Sequence, residues 1–223
     1  YGENRYQTAS AVEAEAIKLG CNADRAVYVN GKETVDSLIA GPLIAKRGGV
    51  MRLYDGKPVD SKYTVVGGES SIKSYNGKGR IDGRDRFETA INIAKSDFPK
   101  AKTAILVAED KTADALAAIS LSQAYDAPIY YTRNRVLPAG VKDYLKEVGV
   151  NRVLIVGGEK SIDPFLEASV KNLHERANEL GSIPILMYHH IDNRKDRYRR
   201  SPEEFYNDLD ILCLLYTSDA AED

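Results

Sequence analysis

One short stretch occurs twice in this chain and constrains its fold more than any other feature. Residues 83–90 read GRDRFETA, and residues 2–9 read GENRYQTA. Two further landmarks follow each copy in the same order: Thr-x-Asp-x-Leu at 34–38 and 112–116, then VGGE-x-SI at 66–72 and 156–162. Because the landmarks recur in order while their spacing changes, the sequence predicts a tandem of two similar units with loops of different length.

The predicted elements of each unit alternate between strands and helices. Apolar runs at 26–29 and 104–108 are typical of strands buried on both faces. Each is followed by a helix for which Thr34 or Thr112 is the expected N-cap. The second unit continues with predicted strand 128–132, helix 138–147, strand 152–156 and helix 161–179. This alternation predicts the α/β class: two tandem small domains, each a mainly parallel sheet flanked by helices.

The repeated stretch itself has the form of a helix start. Asn4 is followed three residues later by Gln7, and Asp85 is followed three residues later by Glu88. This spacing is the capping box, in which each side chain satisfies a free backbone N–H of the first turn. Capping and packing alone therefore account for much of the motif.

The first unit departs from the common plan between its second and third predicted strands. Residues 54–62 separate the apolar runs 50–53 and 63–66. A crossover between parallel strands usually needs about a dozen residues. Either this unit has lost its crossover helix or its strands pair differently, and the sequence leaves both alternatives open.

Composition and charge exclude several classes of protein. The 223 residues are 43% hydrophobic and carry a net charge of −2, which favours globular domains over bulk nucleic-acid binding. No apolar run approaches the roughly 18–20 residues of a membrane span. Cys21 and Cys213 are too far apart and too different in context to indicate a disulfide framework or a metal site. The chain opens at Tyr1 inside a repeat motif, so we expect it to be a fragment.

Two changes in composition mark boundaries within the chain, and the last residues are set apart as a tail. Glycine and polar residues rise at 76–79, and a second change falls at 181–184. The predicted segments are a shortened, atypical repeat at 1–77, a full repeat at 78–180, a third segment at 181–212 and a tail at 213–223.

The repeated landmarks resemble the cell-wall-binding repeat type 2 family. The resemblance is carried by the run at 80–90, the helix start at 112–116 and the glycine turn at 155–162, and it extends from Gly2 to about Asn178. Membership would imply non-catalytic α/β modules, often in sets of three, that hold Gram-positive surface proteins to anionic wall polymers without a covalent link.

The third segment resembles the opening of NodB-like polysaccharide deacetylases. The residues that carry this resemblance are IPILMYHHI at 183–191 and SPEEF at 201–205. The resemblance implies a short remnant of a (β/α) barrel, with a divalent metal bound further downstream than this chain extends. Residues 213–223 fit neither family, and we interpret them as a non-native tail, a natural tail being the alternative.

Four repeated polar residues are the candidate polymer-binding site. Arg5 and Arg86 carry guanidinium groups suited to phosphate or carboxylate, although they are also placed to serve as first-turn structural arginines. Asp36 and Asp114 begin a helix behind a strand, at the edge where open parallel sheets bind ligands. A carboxylate there also complements the helix dipole, and a pair between Arg86 and Asp114 is one structural alternative.

The paired glycines at 67–68 and 157–158 suggest a phosphate cradle, but the residues that follow have neither nucleotide-binding spacing. We therefore interpret them as tight turns.

These observations predict a secreted protein of the cell wall surface, anchored to an anionic polysaccharide or a teichoic-acid-type polymer. Its expected parent is a polysaccharide deacetylase, while the fragment itself needs no cofactor and is expected to be non-catalytic. The alternative is a cytoplasmic flavodoxin-like tandem that binds or converts a small molecule. No nucleic acid and no membrane span are expected.

Overall fold

The structure is a computed structural model that describes residues 2–171, 173, 190–191 and 199–200. Its contacts divide the chain into two compact units, Tyr1–Asn178 and Glu179–Asp223. The first unit contains both repeats. In the second unit the short strands His190–Ile191 and Arg199–Arg200 pair in parallel. The rest of the predicted deacetylase segment and the predicted tail lie outside the described residues.

The first repeat builds a fully parallel sheet. Its elements are helix α1 (Arg5–Lys18), strand β1 (Val27–Asn30), helix α2 (Val35–Arg47) and strands β2 (Met51–Tyr54), β3 (Thr64–Val66) and β4 (Arg80–Ile81). A single 3-10 turn, Ala23–Arg25, precedes β1. The strand order is β2-β1-β3-β4, with β1 central between the two strands that follow it in the chain.

The second repeat follows the same plan with more helices. Its elements are α3 (Arg86–Asp97), β5 (Thr103–Ala108), α4 (Thr112–Tyr125), β6 (Ile129–Thr132), α5 (Ala139–Glu147), β7 (Arg152–Val156) and α6 (Pro164–Lys171). The sheet order β6-β5-β7 again places the first strand between the second and the third, all parallel. The predicted α/β class, with parallel sheets flanked by helices, is therefore confirmed.

The first repeat does lack a crossover helix, and its strands are parallel all the same. Val27 of β1 is in register with Met51 on one side and with Thr64 on the other. The second repeat makes the equivalent connection through α5. In place of a helix, the loop after β2 contributes Val59 to a small separate cluster of buried side chains. Buried Val65 and Ile72 complete this cluster, and partly buried Tyr28, Tyr54, Tyr63 and Tyr75 pack against it. Aromatic side chains thus cover the apolar surface of this loop region.

One hydrophobic core runs through both repeats. It includes Val29 and Leu43 from the first repeat together with Leu106 and Leu145 from the second. Helices α2 and α4 pack directly on each other. A Cβ atom on Gly41 of α2 would lie only 2.8 Å from Cδ1 of Ile119 in α4, so glycine permits this close approach. The two sheets are therefore joined through helix packing rather than through strand pairing.

The helix starts confirm the positions of three of the four predicted N-caps and contradict the fourth. Asn4 Oδ1 accepts hydrogen bonds from the backbone of Tyr6 and Gln7, and Asp85 Oδ1 accepts one from Glu88. Thr34 is the N-cap residue of α2, as predicted, but the predicted cap at Thr112 is wrong. Thr34 has αR backbone angles and makes no side-chain cap bond, and Thr112 is already inside α4, behind Lys111. An extended backbone is what directs a cap side chain at the first-turn N–H groups, and Thr34 lacks it.

Candidate functional site

The two predicted aspartates pack against the glycine turns of their own repeats. Gly67 and Gly157 have φ angles of 124° and 139°, a conformation that L side chains rarely adopt. A Cβ atom on Gly67 would lie 3.1 Å from Oδ2 of Asp36, and one on Gly157 would lie 3.0 Å from Oδ2 of Asp114. The glycines thus allow both the turn and the approach of a carboxylate.

The two predicted arginines tie the start of a helix to the loop behind the central strand. Arg5 Nη1 donates to the carbonyl oxygens of Gly31 at 3.0 Å and Lys32 at 3.2 Å. Arg86 Nη1 donates to the carbonyl oxygen of Glu109 at 3.4 Å and lies 3.5 Å from its carboxylate. Gly31 and Glu109 come directly after β1 and β5, so both repeats form the same tie. Each arginine therefore has a structural role whether or not it also contacts a ligand.

Two of the four predicted residues, Asp36 and Arg86, interact electrostatically at the junction between the repeats. Burial raises the pKa of Asp36, the positive charge of Arg86 partly offsets that shift, and Glu33 adds to it. Tyr131 of β6 joins this junction, because its hydroxyl donates to the carbonyl oxygen of Val35 at 2.8 Å. The pKa of Tyr131 is raised by burial and by the charge of Asp36, which Arg86 opposes. A carboxylate of the first repeat thus lies within electrostatic reach of a cation and a phenol of the second.

The other two predicted residues lie apart from this junction. The bonds of Arg5 run to the loop of its own repeat. Asp114 contacts the turn at Gly157. The ion pair considered between Arg86 and Asp114 is not formed, since the carboxylate partner of Arg86 is Glu109. Of the four repeated residues, Asp36 and Arg86 therefore interact across the junction, whereas Arg5 and Asp114 contact residues of their own repeats.

A surface cleft with a cationic lining lies at the edge of the first sheet where strands β3 and β4 begin. Its volume is about 530 Å³, and we call it the basic cleft after the side chains of Arg47, Thr64, Lys78, Arg80, Lys95 and Ser96 that line it. Thr64 and Arg80 are the first residues of β3 and β4, whereas Arg47 and Lys95 lie in the last turns of α2 and α3.

Sequence reasoning missed the basic cleft. Its one signal was the cationic content around the glycines at 76–79, which indicated only a boundary.

Among the described residues no group of three or more His, Cys, Asp or Glu side chains is placed to hold a metal ion. No helix in the described ranges has the length and apolar character needed to cross a membrane.

Known proteins with similar sequences come from Bacillus subtilis (strain 168). The chain is 34% identical over 94 residues, 42% of its length, to N-acetylmuramoyl-L-alanine amidase LytC. It is 31% identical over 110 residues, 49% of its length, to an amidase enhancer. These matches cover 19% and 15% of the two relatives, so the chain spans less than a fifth of either.

Two solved structures from Clostridium difficile share the fold. Cwp8 superposes with a TM-score of 0.60 and 27% identity, over 77% of this chain and 33% of Cwp8. Cwp6 gives a TM-score of 0.57 and 19% identity, over 70% of this chain and 29% of Cwp6. At 19% identity the second likeness supports the fold alone.

A family model decides the classification. The model for Cell wall binding domain 2 (CWB2) matches residues 1–76 and again residues 80–167. The first match contains strands β1 to β3 and the second contains the whole second sheet; β4, at 80–81, lies in the second match but pairs with β3 in the first sheet. Together the matches cover well over half of the chain. The chain belongs to the Cell wall binding domain 2 family.

Proposed function

We propose that this chain holds its parent protein at the surface of a Gram-positive cell by non-covalent binding to an anionic wall polymer. The observation that carries the proposal is the family match over both repeats. The curated relatives, an amidase and an amidase enhancer, are consistent with it. The polymer is a polysaccharide or is of the teichoic-acid type.

In this proposal the two arginines bind the polymer and the two aspartates position the loops around them. The guanidinium group of Arg5 is exposed and that of Arg86 is partly exposed. Each has five N–H donors and uses only some of them on loop carbonyls, so both retain donors for polymer oxyanions. A carboxylate would repel a polyanion, so Asp36 and Asp114 are not assigned to direct binding. Their role in this proposal is to position the glycine turns that they contact. Several weak contacts on two repeats then add through multivalency.

The parent is proposed to be a secreted polysaccharide deacetylase that requires a divalent metal. The support is the sequence at 183–191 and 201–205, which resembles the opening of such enzymes. Determining the complete gene tests this directly. A signal sequence upstream and metal-ligand motifs downstream are expected, and a different catalytic domain downstream would contradict it.

Co-sedimentation with purified walls tests the anchoring function. The full chain is mixed with Gram-positive walls, with and without chemical removal of the anionic polymers, at 50 mM and 500 mM salt. We expect binding that weakens with salt, because screening shortens the reach of exposed charges, and that is lost after the anionic polymers are removed. Equal binding to stripped and intact walls would contradict the role of the anionic polymer.

A further inference from the structure

The basic cleft has an ordered set of hydrogen-bond donors. Arg47 Nη1 donates to Oγ1 of Thr64 at 2.8 Å, and Arg47 Nη2 donates to Oγ of Ser96 at 3.3 Å. Each hydroxyl therefore accepts from Arg47, and neither donates to another described residue. Since a hydroxyl has one O–H to give, both protons remain for a ligand. The charge of Arg47 is compensated by Asp97, because Nε donates to Oδ1 at 2.7 Å and Nη2 donates to Oδ2 at 2.8 Å.

The same cleft carries positive charge that no ion pair neutralises. Arg80 donates to the carbonyl oxygens of Gly67 at 2.6 Å and Ile72 at 2.8 Å, so its guanidinium is fixed by neutral acceptors. Lys78 and Lys95 are exposed and form no ion pair with any described carboxylate, although Nζ of Lys95 lies 5.4 Å from the centroid of the Tyr144 ring. Asp82 is the one carboxylate in the lining. Three uncompensated cations against one acid give the basic cleft a net positive charge.

We propose that the basic cleft binds an oxyanion, phosphate or carboxylate, carried on a polyhydroxylated polymer. Lys78, Arg80 and Lys95 supply the positive charge, while the hydroxyls of Thr64 and Ser96 donate to the oxyanion or to neighbouring sugar oxygens. About 530 Å³ lies within the about 300–1,000 Å³ usual for small-ligand sites, enough for a saccharide unit with its charged group. The inference rests on the proposed function only for the identity of the polymer, and it places this contact away from the junction at Asp36 and Arg86.

Two double lysine variants distinguish binding at the basic cleft from a general effect of net charge on polyanion affinity. The cleft variant is Lys78→Gln with Lys95→Gln. The control variant is Lys100→Gln with Lys160→Gln, two exposed lysines outside the cleft that also form no ion pair among the described residues. Both variants lose two positive charges, and all four side chains are exposed, so both are expected to fold. Thermal melting of each variant checks this.

Binding is measured by calorimetric titration of the full chain with three soluble polymers. These are poly(glycerol phosphate), polygalacturonate and neutral dextran. We expect the cleft variant to lose about tenfold in affinity for at least one polyanion, because it loses two charge-assisted contacts. The control variant should change less than about twofold, and dextran should bind none of the proteins. The polyanion that loses more affinity identifies phosphate or carboxylate as the preferred group.

Ser96→Ala provides a second test of polyanion binding in the basic cleft. Ser96 is exposed and its bond to Arg47 is long, so this variant should keep its stability while polyanion affinity falls several-fold. Equal affinity losses in the cleft and control variants, or unchanged affinity in the cleft variant, would overturn the site. Because soluble polymers are used, that result is distinct from failure of the full chain to sediment with walls, which would overturn the proposed function.

Discussion

Replacing Tyr131 with Phe tests whether the junction joins the repeats energetically. Tyr131 is 1% exposed, and its hydroxyl crosses from β6 of the second repeat to the Val35 carbonyl in α2 of the first. Phe fills the same space and so leaves no cavity. The Val35 carbonyl belongs to the first residue of α2 and keeps its helical partner, so no buried acceptor is left unsatisfied. The cost is then that of one hydrogen bond, about 1 kcal/mol.

The neighbouring residue provides a matched control on the same strand. Tyr130 is also 1% exposed and its ring packs against Tyr144, but its hydroxyl forms no hydrogen bond with any described residue. Tyr130→Phe should therefore change the free energy of unfolding by less than about 0.5 kcal/mol. For a unit of this size, 1 kcal/mol corresponds to a Tm shift of about 2–4 °C, which calorimetry detects easily.

Urea denaturation followed by circular dichroism gives the same comparison as free energies. We expect one cooperative transition for all three proteins, because one core runs through both repeats. Tyr131→Phe should shift the midpoint downward without changing the slope. Equal stabilities for the two variants would refute the cross-repeat bond, and a second transition would refute the shared core.

Two further predictions concern the charges at the junction. Burial raises the folded-state pKa of Asp36. Its charge therefore does not lower the free energy of unfolding at a pH below the unfolded pKa of about 4, and this loss of stability appears as pH rises through the folded pKa. Asp36→Asn should therefore be more stable than the parent at pH 7, with an advantage that shrinks toward pH 4 in urea titrations; a constant difference would contradict this. Arg86→Ala should lose about 1 kcal/mol, more than Arg5→Ala, because only Arg86 faces Asp36. Adding Asp36→Asn should restore part of that loss, and strict additivity would show that the two charges do not interact.

The order of elements could be predicted because each repeat carries it in local patterns. Fully apolar runs such as 104–108 indicate buried parallel strands, and the capping spacing at Asp85 marks a helix start that the structure confirms. Thr34 is the N-cap of α2, as predicted, yet it shows where local reasoning is incomplete. Its residue type suits an N-cap, but the backbone there is helical, so the hydroxyl makes no cap bond. Backbone angles at a loop end depend on the path of the whole loop, which residue type does not specify.

The first crossover could not be settled from sequence for a different reason. Chain length argued against a helix between β2 and β3, and the structure agrees. What replaces the helix is a cluster that draws Ile72 and Tyr75 from beyond β3 to meet Val59 in the loop. These residues are distant in sequence and follow no single period, so no periodicity joins them.

The candidate site shows the same limit at the level of function. Asp36 and Asp114 occupy equivalent positions, and each packs on the glycine turn of its own repeat. Only Asp36 also faces the next repeat, where Arg86 shifts its pKa and Tyr131 is bound to the adjacent carbonyl. Sequence repetition therefore predicts equal roles, while packing of the repeats makes the roles unequal. The basic cleft has the same origin: Arg47 ends a helix of the first repeat, Lys95 belongs to the first helix of the second, and Lys78 and Arg80 lie between them. A chain with one repeat would have the motif but neither the junction nor the cleft, so both candidate sites are properties of the tandem.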